Sequence, residues 1–438
     1  MNIIRYLLKL LKILLLGAVV LLAVILLILV TPSLWRKWVV YPSMEKELSE
    51  LQQLRKEVPP LTDLKTYQGH IHMHTYWSHD SEGTLSDIIP AAKKHGVDFI
   101  FLSDHPRGNS DTIPRGYQGY YDGVLIEPGS EKRGLNVWPL DSAVIDWKMD
   151  IDTLIRNLVE AGGLVIYSHT EEPHPWDNPW YQGIEIYNFH TDTKDEKLGN
   201  VILNFTINGK KYRHWAYREI FDEQVPILAL WDSLNRQRRI VGFAAIDTHE
   251  NQNFRARMLP DGRVEWLGPN AKVIDTVSVN FFNRRLFNPP DQSGWVFKWM
   301  IDTYDAGFNY LANYVLADTL SVASLSDHMK KGHVYSAFKD LGDAAGFQFY
   351  AASPDSSISG ILGDSVRVEN IATLKAISPF PGEFRLIHNG TPVEISPGSQ
   401  YEYTRSGPFE KGAYRIEVHL RLKGKTIPWL YTNPMYVY

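Results

Sequence analysis

A long apolar run near the N-terminus is the clearest hydrophobic pattern in the chain. Residues Ile13–Val30 are all Leu, Ile, Val, Ala or Gly, without a charge among them. At about 1.5 Å per residue, a helix over this run spans roughly 27 Å, close to the thickness of a bilayer core. The run predicts a single membrane-spanning helix, and residues 1–42 form the predicted membrane anchor.

The charges around that run indicate its orientation. Arg5, Lys9 and Lys12 precede it, and Trp35–Trp38 follows it as an interface anchor. The slight excess of basic residues on the N-terminal side favours an N-terminus inside the cell and a main domain outside, periplasmic or extracellular. A cleaved signal peptide is the alternative. The length of the run and the lack of a small-x-small cleavage site in Thr31–Trp35 argue against it.

The apolar spacing changes twice after the anchor. Leu48, Leu51 and Leu54 recur every three residues before a Pro-Pro pair, which predicts a stalk or linker helix within residues 43–66. From residue 67, short apolar runs alternate with amphipathic stretches, which predicts parallel βα units over residues 67–340, with the chemistry at the carboxyl ends of the strands. The predicted strands are Val97–Ser103, Leu164–Ser168, Ile184–Asn188 and Ile240–Ile246, and the predicted helices are Leu85–His95, Ile151–Ala161 and Val225–Arg239.

The last part of the chain has a different pattern. In Tyr414–Leu422 every second residue is apolar and the residues between are charged or His, as on a strand with one buried face. Turn signals such as Asn389-Gly390 and Pro397-Gly398 recur nearby. These features predict a small accessory β-sandwich over residues 346–438.

Composition narrows the chemistry that is open to the chain. Its net charge is −5, which gives no general case for nucleic-acid binding. It contains no cysteine, so disulfides and thiolate chemistry are excluded. Any transition metal must therefore be held by His and carboxylate side chains.

Three alternating histidines follow the start of the predicted βα region. His70, His72 and His74 lie in the sequence GHIHMHT, and on a strand alternate side chains would point to one face. Two such imidazoles are suitably spaced to chelate one metal, although a lone HxH pair is more often accidental. Other segments strengthen the case, because each supplies His, Asp or Glu at or near the end of a predicted strand or short apolar run: SHDSEGT (78–84), LSDH (102–105), GSE (129–131), YSH (167–169) and IDTH (246–249).

This order of motifs resembles the PHP (polymerase and histidinol phosphatase) family of metallohydrolases. The resemblance runs from about Tyr67 to His249. Within the family, the chain is most similar to the carbaryl-hydrolase-like branch, through SHDSEGT, LALWDSL, KKGHVYSAF and the terminal PWLYTNPMYVY. The resemblance implies a distorted seven-stranded βα barrel, similar to a TIM barrel, that holds two or three divalent ions of Zn, Mn or Fe.

The resemblance also implies a set of metal ligands. Glu131 would be shared between two metals, and either His79 or Asp80 would be a ligand of the third, with Asp80 favoured. The implied sets are His72, His74, Glu131 and Asp247 for the first metal, Glu131 and His169 for the second, and His105, His249 and Asp80 or His79 for the third.

One position departs from the family pattern. After the shared glutamate the family usually has a Gly-His step, whereas this chain has Leu135-Asn136. Asn136 is a weak ligand, so the second metal would be loosely held, absent, or completed by His174 or His190.

Further roles follow from position alone. Asp104 is a candidate to orient a ligand histidine, or else a strand-end cap. Arg107, Arg115 and Arg133 come just after predicted strand ends, where a guanidinium can clamp a phosphate. Glu171 and Glu172 follow the predicted strand that ends near His169. Either is a candidate proton shuttle, although a role on a surface loop is favoured.

The expected activity is that of a metal-dependent hydrolase, with a phosphoesterase favoured and a metal-activated hydroxide as the nucleophile. The expected substrate is a small-molecule or lipid-derived ester, and the expected partner is the membrane through the N-terminal helix. A carboxyl-ester, amide or carbamate hydrolase is the first alternative. A binding or scaffold module with a depleted metal site is the second.

Overall fold

A computed structural model describes residues 2–106, 113–139, 145–192, 196–251, 253–268, 272–290 and 294–438. The chain divides into two compact units, which are described separately here. Unit 1 comprises Met1–Glu50 and Glu196–Ile220, and unit 2 comprises Leu51–Asp195 and Phe221–Tyr438.

Each predicted helix is present, and its ends differ by a few residues from the predicted ones. Within the described residues the α-helices are α1 (Asn2–Trp35), α2 (Tyr41–Gln52), α3 (Leu85–Lys94), α4 (Ile151–Glu160), α5 (Phe189–Asp192), α6 (Leu198–Asn208), α7 (Arg213–Arg218), α8 (Val225–Asn235), α9 (Tyr304–Tyr310) and α10 (Val322–Lys331). A π-helical stretch, Arg36–Val40, lies between α1 and α2.

The strands of the described residues are numbered along the chain. They are β1 (Lys65–Ile71), β2 (Phe99–Phe101), β3 (Gly119–Tyr121), β4 (Val124–Glu127), β5 (Ser130–Lys132), β6 (Leu135–Trp138), β7 (Leu164–Tyr167), β8 (Gly183–Asn188), β9 (Val241–Ala245), β10 (Asn253–Met258), β11 (Arg263–Leu267), β12 (Val273–Ser278), β13 (Trp295–Met300), β14 (Ala312–Ala317), β15 (Val334–Ala337), β16 (Gln348–Ala352), β17 (Ile358–Ile361), β18 (Ser365–Val366), β19 (Thr373–His388), β20 (Thr391–Ile395), β21 (Gln400–Ser406), β22 (Gly412–Leu422), β23 (Lys425–Thr432) and β24 (Met435–Val437).

Local capping explains where the helices begin and end. Helix α3 starts after Thr84, which forms a capping box with Asp87. Helix α8 was predicted to run to Arg239 but ends at Asn235, because the Asn235 side chain accepts a hydrogen bond from the Ile240 backbone N–H at 3.0 Å. That contact turns the chain directly into β9.

Unit 1 contains the predicted apolar helix. The helical stretch Lys9–Gln52 includes a window apolar enough to cross a membrane, and none of that window is buried inside the protein. Its length and composition fit either a membrane anchor or a signal sequence, so the predicted anchor and its orientation stay predictions.

Two helices from the middle of the chain also belong to unit 1. Asn208, at the end of α6, donates a hydrogen bond to the Ser33 carbonyl oxygen at 3.0 Å. Asn204 donates to the Tyr41 hydroxyl at 2.9 Å. The insertion Glu196–Ile220 therefore packs on the end of α1 and on α2, which the local sequence pattern did not predict.

Unit 2 is a mixed α/β structure. Strands β1, β2 and β4 pair in parallel within a 15-stranded sheet, and β7, β8 and β9 pair in parallel within a five-stranded sheet. A parallel bridge from Met73 to Thr248 connects the chain just beyond β1 with the chain just beyond β9. The strand pairings within the described residues do not close these sheets into one ring, so the predicted seven-stranded barrel stays a prediction.

The core between these sheets is apolar on both sides of the strands. Buried side chains from several strands and from α10 share one cluster: Ile71, Phe99, Phe101, Leu125, Trp138, Leu164, Ile166, Val241, Phe243, Val315, Ala317, Leu325, Met329 and Val334. Strands that are buried on both faces appear in the sequence as continuous apolar runs, and for this reason the sequence pattern located them. This core fixes the strand ends that carry the candidate site.

The C-terminal strands and one further sheet complete unit 2. Strands β16–β24 lie within the predicted accessory region and belong to the same 15-stranded sheet as β1, because β23 pairs with β15 through Ala337 and Leu430. Strands β10–β13 form a separate four-stranded sheet between β9 and α9, with a small core of Ala256, Val264 and Val296. The sequence pattern did not predict this inserted sheet. The predicted boundaries of the domains stay predictions.

Candidate metal centre

The first histidine motif leaves its strand before it reaches the site. Strand β1 ends at Ile71, and His72 adopts a left-handed backbone conformation with φ 57°. The prediction that the three histidines share one face is therefore wrong. The His70 ring packs 4.5 Å from the Phe308 ring in the interior, whereas His72 and His74 turn towards carboxylates.

His72 and His74 meet two acidic side chains. The Nε2 atom of His72 lies 3.1 Å from Glu131 Oε2 and 3.2 Å from Asp247 Oδ1. The Nε2 atom of His74 lies 3.4 Å and 3.2 Å from the same two oxygens. A tetrahedral ion with ligand bonds of about 2.0–2.2 Å keeps its ligands roughly 3.3–3.6 Å apart. Of these four residues, His72, His74 and Asp247 form one group of possible metal ligands, and the predicted ligand set stays a prediction.

Glu131 is shared with a third histidine. Its Oε1 atom lies 3.0 Å from His169 Nε2, while its Oε2 atom faces His72 and His74. His72, Glu131 and His169 form one group of possible metal ligands. The structure thus places Glu131 between two adjacent groups, as expected of a bridging carboxylate.

Asp80 assembles the remaining histidines. Its Oδ2 atom lies 3.4 Å from His105 Nε2 and 3.5 Å from His249 Nε2. Together with His74, these residues form another possible metal group. The His79 ring is 67 % exposed and its Nε2 atom lies 3.9 Å from the Asp80 carboxylate. The geometry therefore favours Asp80 over His79 as the ligand.

Three residues of the cluster have a strained backbone. His72, His169 and Asp247 all have left-handed backbones, with φ of 57°, 50° and 49°. Each follows a strand end, and each non-glycine residue in this conformation costs on the order of 1–3 kcal/mol. Strain held at three residues of one cluster is typical of functional sites.

The electrostatics of the cluster are dominated by buried opposite charges. Burial lowers the pKa of His72, but Asp247, Glu185 and Glu131 raise it well above its usual value. Burial raises the pKa of Glu131, yet the facing histidines lower it far below its usual value. Glu131 is therefore ionised at neutral pH, and its negative charge suits a bound cation.

Three buried atoms test whether a metal fits. Within the described part of the chain, Nε2 of His72 and Nε2 of His74 are buried 3.2 Å from Asp247 Oδ1, and none of the three atoms makes a well-formed hydrogen bond. Buried polar atoms are rarely left in this state. A divalent ion among them would satisfy all three, and a set of imidazoles and carboxylates suits Zn²⁺, Mn²⁺ or Fe²⁺.

Glu185 is a functional candidate that the sequence reading missed. It lies in β8 and accepts a hydrogen bond from Nδ1 of His72, which leaves Nε2 facing the cluster. Its other oxygen accepts from the His169 backbone N–H at 3.0 Å and from the Asn188 amide at 2.9 Å. One sequence signal could have identified Glu185: it is the single charged residue in the apolar run GIEIYN.

Asn136 contacts the same glutamate. Its amide donates to Glu185 Oε1 at 3.0 Å, so it holds the residue that orients His72. The two alternatives for completing the second metal site lie beside the cluster. His174 Nε2 is 3.1 Å from the His169 backbone oxygen, and the His190 ring is 5.3 Å from the His249 ring.

The other predicted site residues have mixed outcomes. Asp104 accepts hydrogen bonds from the backbone N–H and hydroxyl of Thr75, at 2.5 and 2.8 Å, so it holds the turn after His74. Arg107 lies outside the described residues. Arg133 donates to the backbone oxygens of Trp147 and Met149, and Arg115 is exposed.

A cavity of about 360 Å³ adjoins the His169 side of the cluster. Thr191, in its wall, lies 3.2 Å from His169 Nδ1, and Asn188 lies 3.3 Å from Asp247 Oδ2. Glu171 Oε1 lies 3.5 Å from His169 Nδ1. The described lining is Glu171, Glu172, Asn188, Thr191, Asp192, Gln224 and Ile227, which includes three acidic residues and no basic one.

Comparisons with known proteins give only distant similarity. No protein-family model and no curated protein matches the chain. A two-domain protein from Bacteroides vulgatus, containing a predicted PHP-like metal-dependent phosphoesterase, is 13% identical, with 87% of this chain and 98% of that chain covered and a TM-score of 0.37. An endo-beta-1,4-mannanase from Thermotoga petrophila is 10% identical, with 86% and 98% covered and a TM-score of 0.15. The case for a function therefore rests on the geometry of the site, and the carbaryl-hydrolase-like branch stays a prediction.

Proposed function

We propose that this chain is a metal-dependent hydrolase whose substrates are phosphate esters. The observation that carries the proposal is the position of Glu131, whose two oxygens face His169 on one side and His72 and His74 on the other. A carboxylate placed in this way joins neighbouring metal positions. Phosphoester hydrolysis is served by adjacent cations, because they stabilise both the attacking and the leaving oxygen.

Each part of the cluster has a definite task in this proposal. His72, His74, Glu131 and Asp247 would hold one ion, Glu131 and His169 a second, and Asp80, His105 and His249 a third. When bound, the ions supply Lewis acidity and lower the pKa of water to near neutrality. Glu185 fixes the tautomer and orientation of His72 by accepting a hydrogen bond from its Nδ1–H group.

The acidic cavity favours a second candidate substrate. Glu171, Glu172 and Asp192 would repel the charge of a phosphate monoester wherever it is not neutralised by metal. A neutral carboxyl ester, amide or carbamate meets no such repulsion. This candidate uses the same metal centre and differs only in the bond that is cleaved.

A substrate panel tests the proposal. The full chain, purified in detergent and supplied with Mn²⁺, Zn²⁺ or Fe²⁺, is assayed on a phosphomonoester, a phosphodiester, a carboxyl ester and a carbamate. We expect phosphoester hydrolysis that His72→Ala abolishes and that His388→Ala, a change in the C-terminal strands, leaves intact. Hydrolysis of the carboxyl ester or carbamate alone would replace the phosphoester proposal with the second candidate. If no substrate is cleaved under any metal condition, the hydrolase proposal fails.

A further inference from the structure

The inserted four-stranded sheet exposes a compact apolar tip. The connection from β12 to β13 includes Val279–Leu286, which is called the aromatic tip here. Phe282 is 88 % exposed, and Phe281 and Leu286 beside it are also mostly exposed. Neighbouring aromatic side chains exposed in the connection between the two edge strands of the sheet are a costly surface in water. Contiguous exposed patches of this kind mark interaction sites.

The core of the inserted sheet does not use this surface. That core packs Ala256, Val264 and Val296 with the partly buried Trp266 and Phe297. Phe281 and Phe282 are absent from it, and their rings contact each other at 5.7 Å between centroids. The exposed aromatics therefore add nothing to the described core of this sheet.

The charge around the tip points to an anionic partner. Residues 272–287 contain three basic side chains, Lys272, Arg284 and Arg285, and one acidic side chain, Asp275. This local excess of positive charge lies in a chain whose net charge is −5. Arg284 also lies 4.8 Å over the Phe281 ring, so cationic and aromatic groups share one surface.

The inserted sheet is tied to the candidate metal centre. Asn251, just before β10, donates a hydrogen bond to the Asp80 backbone oxygen at 2.7 Å. Arg255 in β10 forms an ion pair with Glu82, two residues beyond Asp80. The sheet thus directly contacts the segment that carries a predicted metal ligand.

We propose that the aromatic tip inserts into the interfacial region of a bilayer that contains anionic lipids. Phe281, Phe282 and Leu286 enter the boundary between headgroups and acyl chains, and Arg284 and Arg285 bind the headgroup phosphates. Aromatic and basic side chains together are the chemistry of membrane-surface anchors. Helix α1 is apolar enough to cross a membrane. We therefore expect the chain to lie next to a bilayer. The proposal holds whether or not the metal centre is a hydrolase.

Site-specific labelling tests the insertion directly. The chain has no cysteine, so Leu286→Cys and Ile395→Cys each give a unique labelling site. The two positions are matched, since both are aliphatic and exposed by 56 % and 55 %. Each labelled full chain is placed singly in nanodiscs of phosphatidylcholine, with or without phosphatidylglycerol, that carry brominated acyl chains.

We expect bromolipid to quench the label at residue 286 at least threefold more than the label at 395, and phosphatidylglycerol to widen the difference. Phe281→Ser/Phe282→Ser or Arg284→Glu/Arg285→Glu should bring the 286 label down to the level of the 395 label, whereas Val393→Ser should change nothing. Equal quenching of both labels in the unsubstituted background would overturn the proposal. So would a 286 label that is shielded from aqueous iodide yet unquenched by lipid, which would indicate a second protein copy as the occupant.

Discussion

Glu185 accepts a hydrogen bond from Nδ1 of His72, and this contact leaves the Nε2 atom of the same ring facing Glu131 and Asp247. A metal-binding imidazole commonly donates its second N–H to a carboxylate, which fixes the ring and increases its basicity. Asn136, the position where the chain differs from the family that its motifs resemble, bonds to this same glutamate. Asn136 therefore helps Glu185 to hold His72 in this orientation.

Replacing Glu185 by glutamine should weaken metal binding without unfolding the chain. The amide cannot hold the His72 tautomer as a carboxylate does, so the affinity should fall about 10- to 100-fold. Competition of the purified chain with a chelator measures this affinity. The matched control is Glu369→Gln, a change at an exposed carboxylate. An affinity for metal within twofold of the unchanged chain would remove Glu185 from this role.

Two single substitutions distinguish the neighbouring candidates for the third ligand set. Asp80→Asn should lower the amount of metal bound per chain, because the Asp80 carboxylate lies between His105 and His249. His79→Ala should leave the bound metal unchanged, because that ring is turned mostly to solvent. Elemental analysis of both variants gives the answer. The reverse pattern would assign the ligand to His79.

Glu127 makes stability depend on pH. It is 2 % exposed, and burial raises its pKa from 4.5 to about 7. The folded state therefore favours the protonated carboxyl. This contribution to stability is complete below about pH 4.5, the pKa in the unfolded chain, and is lost as the pH rises through about 7.

The expected loss is up to roughly 3 kcal/mol of unfolding free energy. Glu127→Gln keeps a neutral side chain, so it should lack this dependence. Chemical denaturation of both chains between pH 4 and pH 8, followed by tryptophan fluorescence, measures the difference. A difference in unfolding free energy that stays constant over this range would show that Glu127 ionises normally in the folded chain.

A buried ion pair should hold the accessory strands to the βα region. Arg415 in β22 binds Asp232 in α8 through two contacts of 2.7 Å, and both side chains are buried. Asp232→Ala leaves a buried guanidinium without one of its partners and should cost about 3–5 kcal/mol. The exposed pair of Arg367 and Glu369 should matter far less, by at most about 1 kcal/mol.

Denaturation of Asp232→Ala and Glu369→Gln compares the two pairs. Similar small losses in both variants would mean that the buried pair contributes no more than a surface pair. A large loss in the first variant alone would also show that the predicted domains are energetically coupled.

The sequence was informative where local pattern decides structure. His105, His169 and Asp247 were found because apolar runs end just before them, and strands buried on both faces produce such runs. His70 was misplaced because the spacing of the motif does not reveal that β1 ends at Ile71. Glu185 was missed because a buried carboxylate inside a strand is explained only by partners distant in sequence.

Longer-range features were equally inaccessible. The packing of Glu196–Ile220 on α1 and α2 depends on contacts between segments that are 163 residues apart, as for Tyr41 and Asn204. Periodicity reports which face of an element is apolar but not what covers it. The inserted sheet β10–β13 was also missed, although residues Asn253–Met258 of β10 alternate between polar and apolar side chains, because alternation alone does not show which strands pair.

The metal content of the purified full chain tests the central claim most directly. Elemental analysis should find two or three divalent transition-metal ions per chain. His72→Ala should lose at least one of them, while His388→Ala should keep them all. A chain that binds no metal above background when Zn²⁺, Mn²⁺ or Fe²⁺ is supplied, or a His72→Ala variant with unchanged metal content, would contradict the account.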